Sequence, residues 1–153
     1  MRPGIDRDQL VQYVIRPTLT EAGQLIGKKC NSRAARQLLL VTACVESHCG
    51  HYLRQIRGPA LGIYQIEPAT YRWLTSTQVG PHLPPLARIT SCLHCATLAC
   101  RLRYWLVPHP LPAADDRDGL WHYYKKWWNS AAGATTRAQF GWAWDQWQID
   151  QVR

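Results

Sequence analysis

Residues 33–50 read RAARQLLLVTACVESHCG. Asn31 or Ser32 just before this run can cap a helix, and Gly50 at its far end is a natural stop, so the spacing predicts a helix across it. Ala35, Leu39 and Thr42 fall on one stripe of that helix, and the next position of the stripe, four residues on, is Glu46. A carboxyl group that ends an apolar face loses hydration for its charged form, which raises its pKa and keeps it protonated near neutral pH, ready to donate to a leaving oxygen. The plainer alternative is a carboxylate at a helix end that reaches solvent or pairs with Arg54 or Arg57. The helix pattern by itself leaves both open.

Outward from this helix the chain reads as more helices. Asp8 to Ile15 has helical spacing through Leu10, Tyr13 and Val14, with Pro17 expected to interrupt it. Ile56 to Ile66 holds Gly58, Pro59 and Gly62 and predicts an irregular loop, with a small β-hairpin around residues 58–66. A helix from Pro68 to Leu74 should follow, with proline well placed in its first turn. Leu86 to Leu106 is the longest uninterrupted helical pattern and is expected to be the central helix. Pro108, Pro110 and Pro112 form a stiff linker to Asp115, Asp116 and Asp118, which suit the first turn of a helix through Trp128. A last helix from Thr136 places Phe140, Trp144 and Trp147 on one stripe. The fold class expected is mainly α, with residues 1–153 forming one domain.

Composition narrows the classes of function. Lys and Arg outnumber Asp and Glu by 18 to 10, a net charge of +8. This favours a polyanionic partner, whether nucleic acid, anionic lipid or an anionic cell wall, and charge alone does not choose among them. The basic residues are scattered singly or in pairs, and no nucleic-acid motif accompanies them, so nucleic acid is not an expected partner. The longest aliphatic stretch, Leu38 to Val41, is far too short to cross a bilayer, and no membrane insertion is expected. MRPGIDRDQL at the N-terminus mixes charge with Pro and Gly and predicts no signal peptide. Six cysteines, Cys30, Cys44, Cys49, Cys92, Cys95 and Cys100, then read as free buried thiols. Cys92 and Cys95 lack a matching second pair, so they read as one face of a buried helix, and neither a metal nor any other cofactor is expected.

Downstream of Glu46-Ser47-His48-Cys49-Gly50 the chain continues Gly62-Ile63-Tyr64-Gln65-Ile66-Glu67-Pro68-Ala69-Thr70. This resembles the lytic transglycosylase and goose-type lysozyme superfamily, in which a Glu-Ser pair ends a buried helix. About fifteen residues later that family carries a Gly-Leu-Met-Gln-Ile-x-Pro-x-Thr loop. The match has no gap, and only Ile63 and Tyr64 replace Leu and Met. Trp127-Trp128-Asn129 and the residues through Gly133 loosely match a third element, Ala-Tyr-Asn. The resemblance implies a lysozyme-like fold and cleavage of the β-1,4 bond between N-acetylmuramic acid and N-acetylglucosamine, with Glu46 as catalytic acid. It also implies Gln65 bonded to the sugar, close approach of the glycan at Gly62, Tyr64 at the substrate loop and Ser47 bracing the site. Trp128 and Asn129 would face the cleft.

The segment with Tyr123-Tyr124-Lys125-Lys126 also looks like small phage-encoded members of the superfamily. Such a protein would stay in the host cytoplasm until a holin releases it as an endolysin, or travel with the virion beside tail proteins. Two mechanisms remain open. A hydrolase holds a second carboxylate about 5 to 9.5 Å from the acid, and Glu67, Asp115 or Asp116 could supply it. A transglycosylase uses Glu46 twice, as acid and then as base, and closes a 1,6-anhydro ring. Eight tryptophans, six of them after residue 120, offer faces for sugar rings. Trp127 and Trp128 are the expected contacts, while Trp144 and Trp147 are expected to pack in the core. A non-catalytic virion or wall-binding protein that keeps such a fold is the competing reading.

Overall fold

The computed structural model describes residues 3–130 and 133–153. Met1 and Arg2, part of the expected leaderless N-terminus, and Ala131 and Ala132, part of the segment after Asn129, lie outside the described residues. The chain is mainly helical. Helix α1 (Arg7–Leu10) is capped by the Asp6 carboxylate and passes through a π-helical turn, Val11–Ile15, into α2 (Arg16–Ile26). Pro17 therefore does not interrupt the helix. Its ring crowds the carbonyl four residues back and it has no N–H to donate. The wider π turn, in which the Arg16 N–H reaches Val11 O, relieves the crowding without ending the rod.

Helix α3 (Arg33–Ser47) is capped by Ser32, whose hydroxyl accepts from the Ala35 N–H at 3.1 Å. Asn31 is engaged elsewhere, with Thr20 and Arg36. The helix ends at His48, and His48, Cys49 and Gly50 all take positive φ, so the chain turns sharply two residues beyond Glu46. Leu38, Leu39, Leu40 and Val41 are all fully buried. A helix buried on every side belongs at the centre of a fold, and α3 takes that place together with α5 (Leu93–Trp105). The central pattern is thus shorter than the expected 86–106, because Leu86–Arg88 is a separate 3₁₀ turn and the Cys92 thiol caps α5.

Between α3 and α4 (Pro68–Thr75) the chain makes two isolated bridges, Arg54 to Leu61 and Leu61 to Ile66, and no hairpin forms among the described residues. Positive φ at Arg57, Gly62 and Gln65 curls this segment too tightly for a ladder to extend. Helix α6 (Arg117–Tyr124) starts at Asp116, whose carboxylate accepts from the Gly119 N–H, and runs into a second π turn, Lys125–Asn129. Helix α7 (Arg137–Gln146) opens with a capping box between Thr136 and Gln139. Phe140, Trp144 and Trp147 from its stripe are buried with Tyr124 and Trp121 in the main core.

A smaller cluster of Ala22, Cys30, Leu74, Val79, Leu98 and Leu102 joins α2, α4 and α5. The six cysteines are free thiols, five of them buried and Cys92 partly exposed. Among the described residues no helix is long and apolar enough to cross a membrane, and no cluster of His, Cys, Asp or Glu is arranged to hold a metal ion.

Candidate active site

The stripe of α3 that begins in the core ends at the wall of a cavity of about 460 Å³. Glu46, Tyr52, Gln65, Glu67, Arg103 and Asn129 are among the polar side chains that line it. Glu46 has part of its surface open to this space, but protein atoms surround it on most sides. Burial pushes its pKa up to about 7, against the opposing pull of a hydrogen bond from Tyr124 and the charge of Arg103. The Tyr124 hydroxyl donates to Glu46 Oε1 at 2.6 Å and lies 3.2 Å from Thr135 Oγ1. Tyr52 donates to the Glu46 backbone carbonyl at 2.8 Å and covers the helix end.

The loop that follows α3 is fixed from beneath. Ser47 is fully buried, and its hydroxyl donates to Ile63 O at 2.6 Å while accepting from the Gly50 N–H at 2.9 Å. It ties the loop to the helix and does not reach the cavity. Gly62 has φ of 77°, and a Cβ there would lie 2.6 Å from Ile89 O. The close approach that needs glycine is thus with the chain's own backbone, not with a glycan. Tyr64 is fully buried, with its hydroxyl 3.0 Å from Thr97 Oγ1 on α5, so it anchors the loop and cannot touch a ligand. Gln65 does line the cavity, and its amide nitrogen donates to Gly62 O at 2.8 Å, leaving its carbonyl oxygen and second N–H for other partners.

On the opposite wall, Trp128 stacks on Tyr104 at 5.0 Å between ring centroids, with the Arg103 guanidinium 4.1 Å from its own. Trp128 lines the cavity as expected, but its ring is packed between these partners and only 6% exposed, so it offers an edge and not a stacking face. Asn129 lines the cavity with its Oδ1 held by Lys125 Nζ at 2.7 Å and its amide nitrogen donating to Thr135 Oγ1 at 3.2 Å. Lys125 also donates to Gly133 O and Thr135 O, clamping the segment that supports Tyr124.

Of the candidate second carboxylates, Glu67 lines the cavity, exposed at the start of α4. Asp116 caps α6, and Asp115 is paired with Arg33 and Gln37. Both are spent on structure and neither lines the cavity. Thr70 and Arg103 are shared with a second, more apolar hollow of about 640 Å³, which Trp73 and Trp127 also line.

No protein-family model, curated protein or solved structure matches this chain. The site is therefore read from its own chemistry. It offers one carboxyl group whose pKa is raised to about 7, so that it keeps its proton on the acid side of neutrality, buttressed by a tyrosine in an open polar cavity. Such a group can give up a proton to a bound oxygen and later take one back.

Replacing Tyr124 by Phe should move the titration of Glu46 further upward. The hydroxyl stabilises the carboxylate form by hydrogen bonding, so without it the proton is held more tightly. Chemical-shift titration of a ¹³C-labelled Glu46 carboxyl would check this, and a downward movement would show that Tyr124 favours the protonated form instead.

Proposed function

We propose that this chain cleaves peptidoglycan glycan strands at the β-1,4 bond between N-acetylmuramic acid and N-acetylglucosamine, with Glu46 as general acid. The observation that carries the reading is the Glu46 carboxyl itself, which ends a buried helix at a polar cavity with its pKa raised to about 7. The resemblance of residues 46–70 to lytic transglycosylases and goose-type lysozymes supplies the substrate class.

In the first step Glu46 donates its proton to the glycosidic oxygen as the bond to C1 breaks, leaving an oxocarbenium-like sugar. Tyr124, already at 2.6 Å, stabilises the carboxylate that remains. In the second step that carboxylate accepts the proton of the sugar's own 6-hydroxyl as the hydroxyl oxygen bonds to C1. The product is a 1,6-anhydro muramic acid end, and Glu46 is protonated again.

Mass spectrometry of muropeptides released from purified sacculi should find 1,6-anhydro ends, with little effect of Glu67→Gln on their yield. Reducing ends that disappear in Glu67→Gln would instead make Glu67 the group that activates water, and the enzyme a hydrolytic lysozyme. Release of neither product would reject glycan cleavage.

A further inference from the structure

Cys92 and Cys95 stand at the start of α5. Cys92 is the N-cap residue, and its Sγ accepts from the Cys95 N–H at 3.1 Å. Only Cα and Cβ separate that nitrogen from the Cys95 sulfur, so the two sulfurs lie within reach of one another through a modest side-chain rotation. Cys92 is partly exposed, while Cys95 is 9% exposed beneath it. Arg88, on the 3₁₀ turn before α5, places its guanidinium beside the pair.

We propose that Cys92 and Cys95 form a redox-active dithiol that exchanges with small-molecule disulfides such as oxidised glutathione. The outer sulfur is the attacking group. Partial burial works against its charged form, but hydrogen bonds from the Cys95 thiol and amide, together with Arg88, outweigh it and hold Cys92 below the ordinary thiol value. Burial, followed by the interaction with Cys92, pushes Cys95 up to about 11, which makes it the resolving thiol.

Attack of the Cys92 thiolate on one sulfur of oxidised glutathione breaks its S–S bond, forms a mixed disulfide and releases one glutathione thiolate. Cys95 then loses its proton to solvent and attacks the Cys92 sulfur, expelling the second glutathione thiolate and closing the Cys92–Cys95 bond. The protein is oxidised by two electrons, and one molecule of oxidised glutathione becomes two of the thiol. His94, between the two cysteines, is turned away toward Thr18 and Glu21 and takes no part.

Native protein treated with oxidised glutathione, then alkylated and digested, should yield a Cys92–Cys95 linked peptide that dithiothreitol reverses. Cys92 should react at least about tenfold faster than Cys30, Cys44, Cys49 and Cys100, which serve as buried controls within the same molecule. Cys95→Ser should trap glutathione on Cys92, and Cys92→Ser should leave Cys95 unmodified. A link that forms only in denaturant, or a Cys92 no faster than the buried thiols, overturns the proposal. The test reads sulfur chemistry alone, so it is independent of glycan cleavage.

Discussion

Glu46→Gln should slow sacculus clearing by about 10²- to 10⁴-fold, the range a positioned general acid contributes, while the helical circular-dichroism spectrum stays that of the wild type. The amide keeps the volume of the carboxyl and can still accept from Tyr124, so the contact at 2.6 Å need not be lost. What it lacks is an acidic proton. Clearing by the wild type should also fall as pH rises through about 7, where Glu46 surrenders its proton. Glu46→Gln should show no such limb. Turbidity assays across pH on both proteins would measure the effect, and clearing by the variant at the wild-type rate would remove Glu46 from the chemistry.

The same carboxyl should leave a signature in stability that does not depend on any substrate. Its pKa in the folded protein is about 7, against 4.5 for the ordinary side chain. At pH values between these, the unfolded chain has released the Glu46 proton while the folded protein still holds it. The unfolded state thus binds fewer protons, and stability falls as pH rises through this window. The contribution is complete below about pH 4.5 and gone above about pH 7. At about 1.36 kcal/mol per pKa unit, it amounts to up to about 3 kcal/mol. Glu46→Gln cannot titrate there and should become the more stable protein as pH rises, whereas the two should match in acid. Urea unfolding of both variants at several pH values isolates this difference, because all other titrating groups are common to the pair. Parallel stability curves would mean that Glu46 is solvated in the folded protein.

The two arms of the site differed in how much of them could be read from the sequence. Glu46 was legible because α3 keeps a strict helical stripe from Ala35 onward and has a recognisable cap in Ser32. Glu67 and Gln65, which the loop that follows put near the acid, line the same cavity as Glu46. That loop pattern conveyed the shape of a turn but not which of its side chains faces outward. The choice is made by Ile89 and Thr97, distant in sequence, against which Gly62 and Tyr64 pack.

Tyr124 was read only as part of a segment resembling phage-encoded proteins and not as a partner of Glu46, since the two are 78 positions apart and only tertiary packing joins them. The resemblance to the Ala-Tyr-Asn element pointed instead to Trp128, a few residues further on, whose ring is committed to Tyr104 and Arg103. Pro17 was misread for a related reason. Propensity treats proline as a break, but a helix that can widen for one turn has another way to accommodate it.

The widened turn at Lys125–Asn129 lets the rim of the cavity tolerate a change in the length of the chain. Each residue in an ordinary helix advances by about 100° around the axis. A π turn spreads over about five residues the circuit that an α-helix makes in about four, so loss of a single residue from this turn would let the rod tighten and leave Asn129 close to its present heading. Tyr124 precedes the turn and Glu46 sits on another helix, so both would keep their places. One codon lost here is therefore a change that a lineage could absorb with the mouth of the cavity and its acid both in place, whereas the same loss within α6 would swing the rim by about 100°.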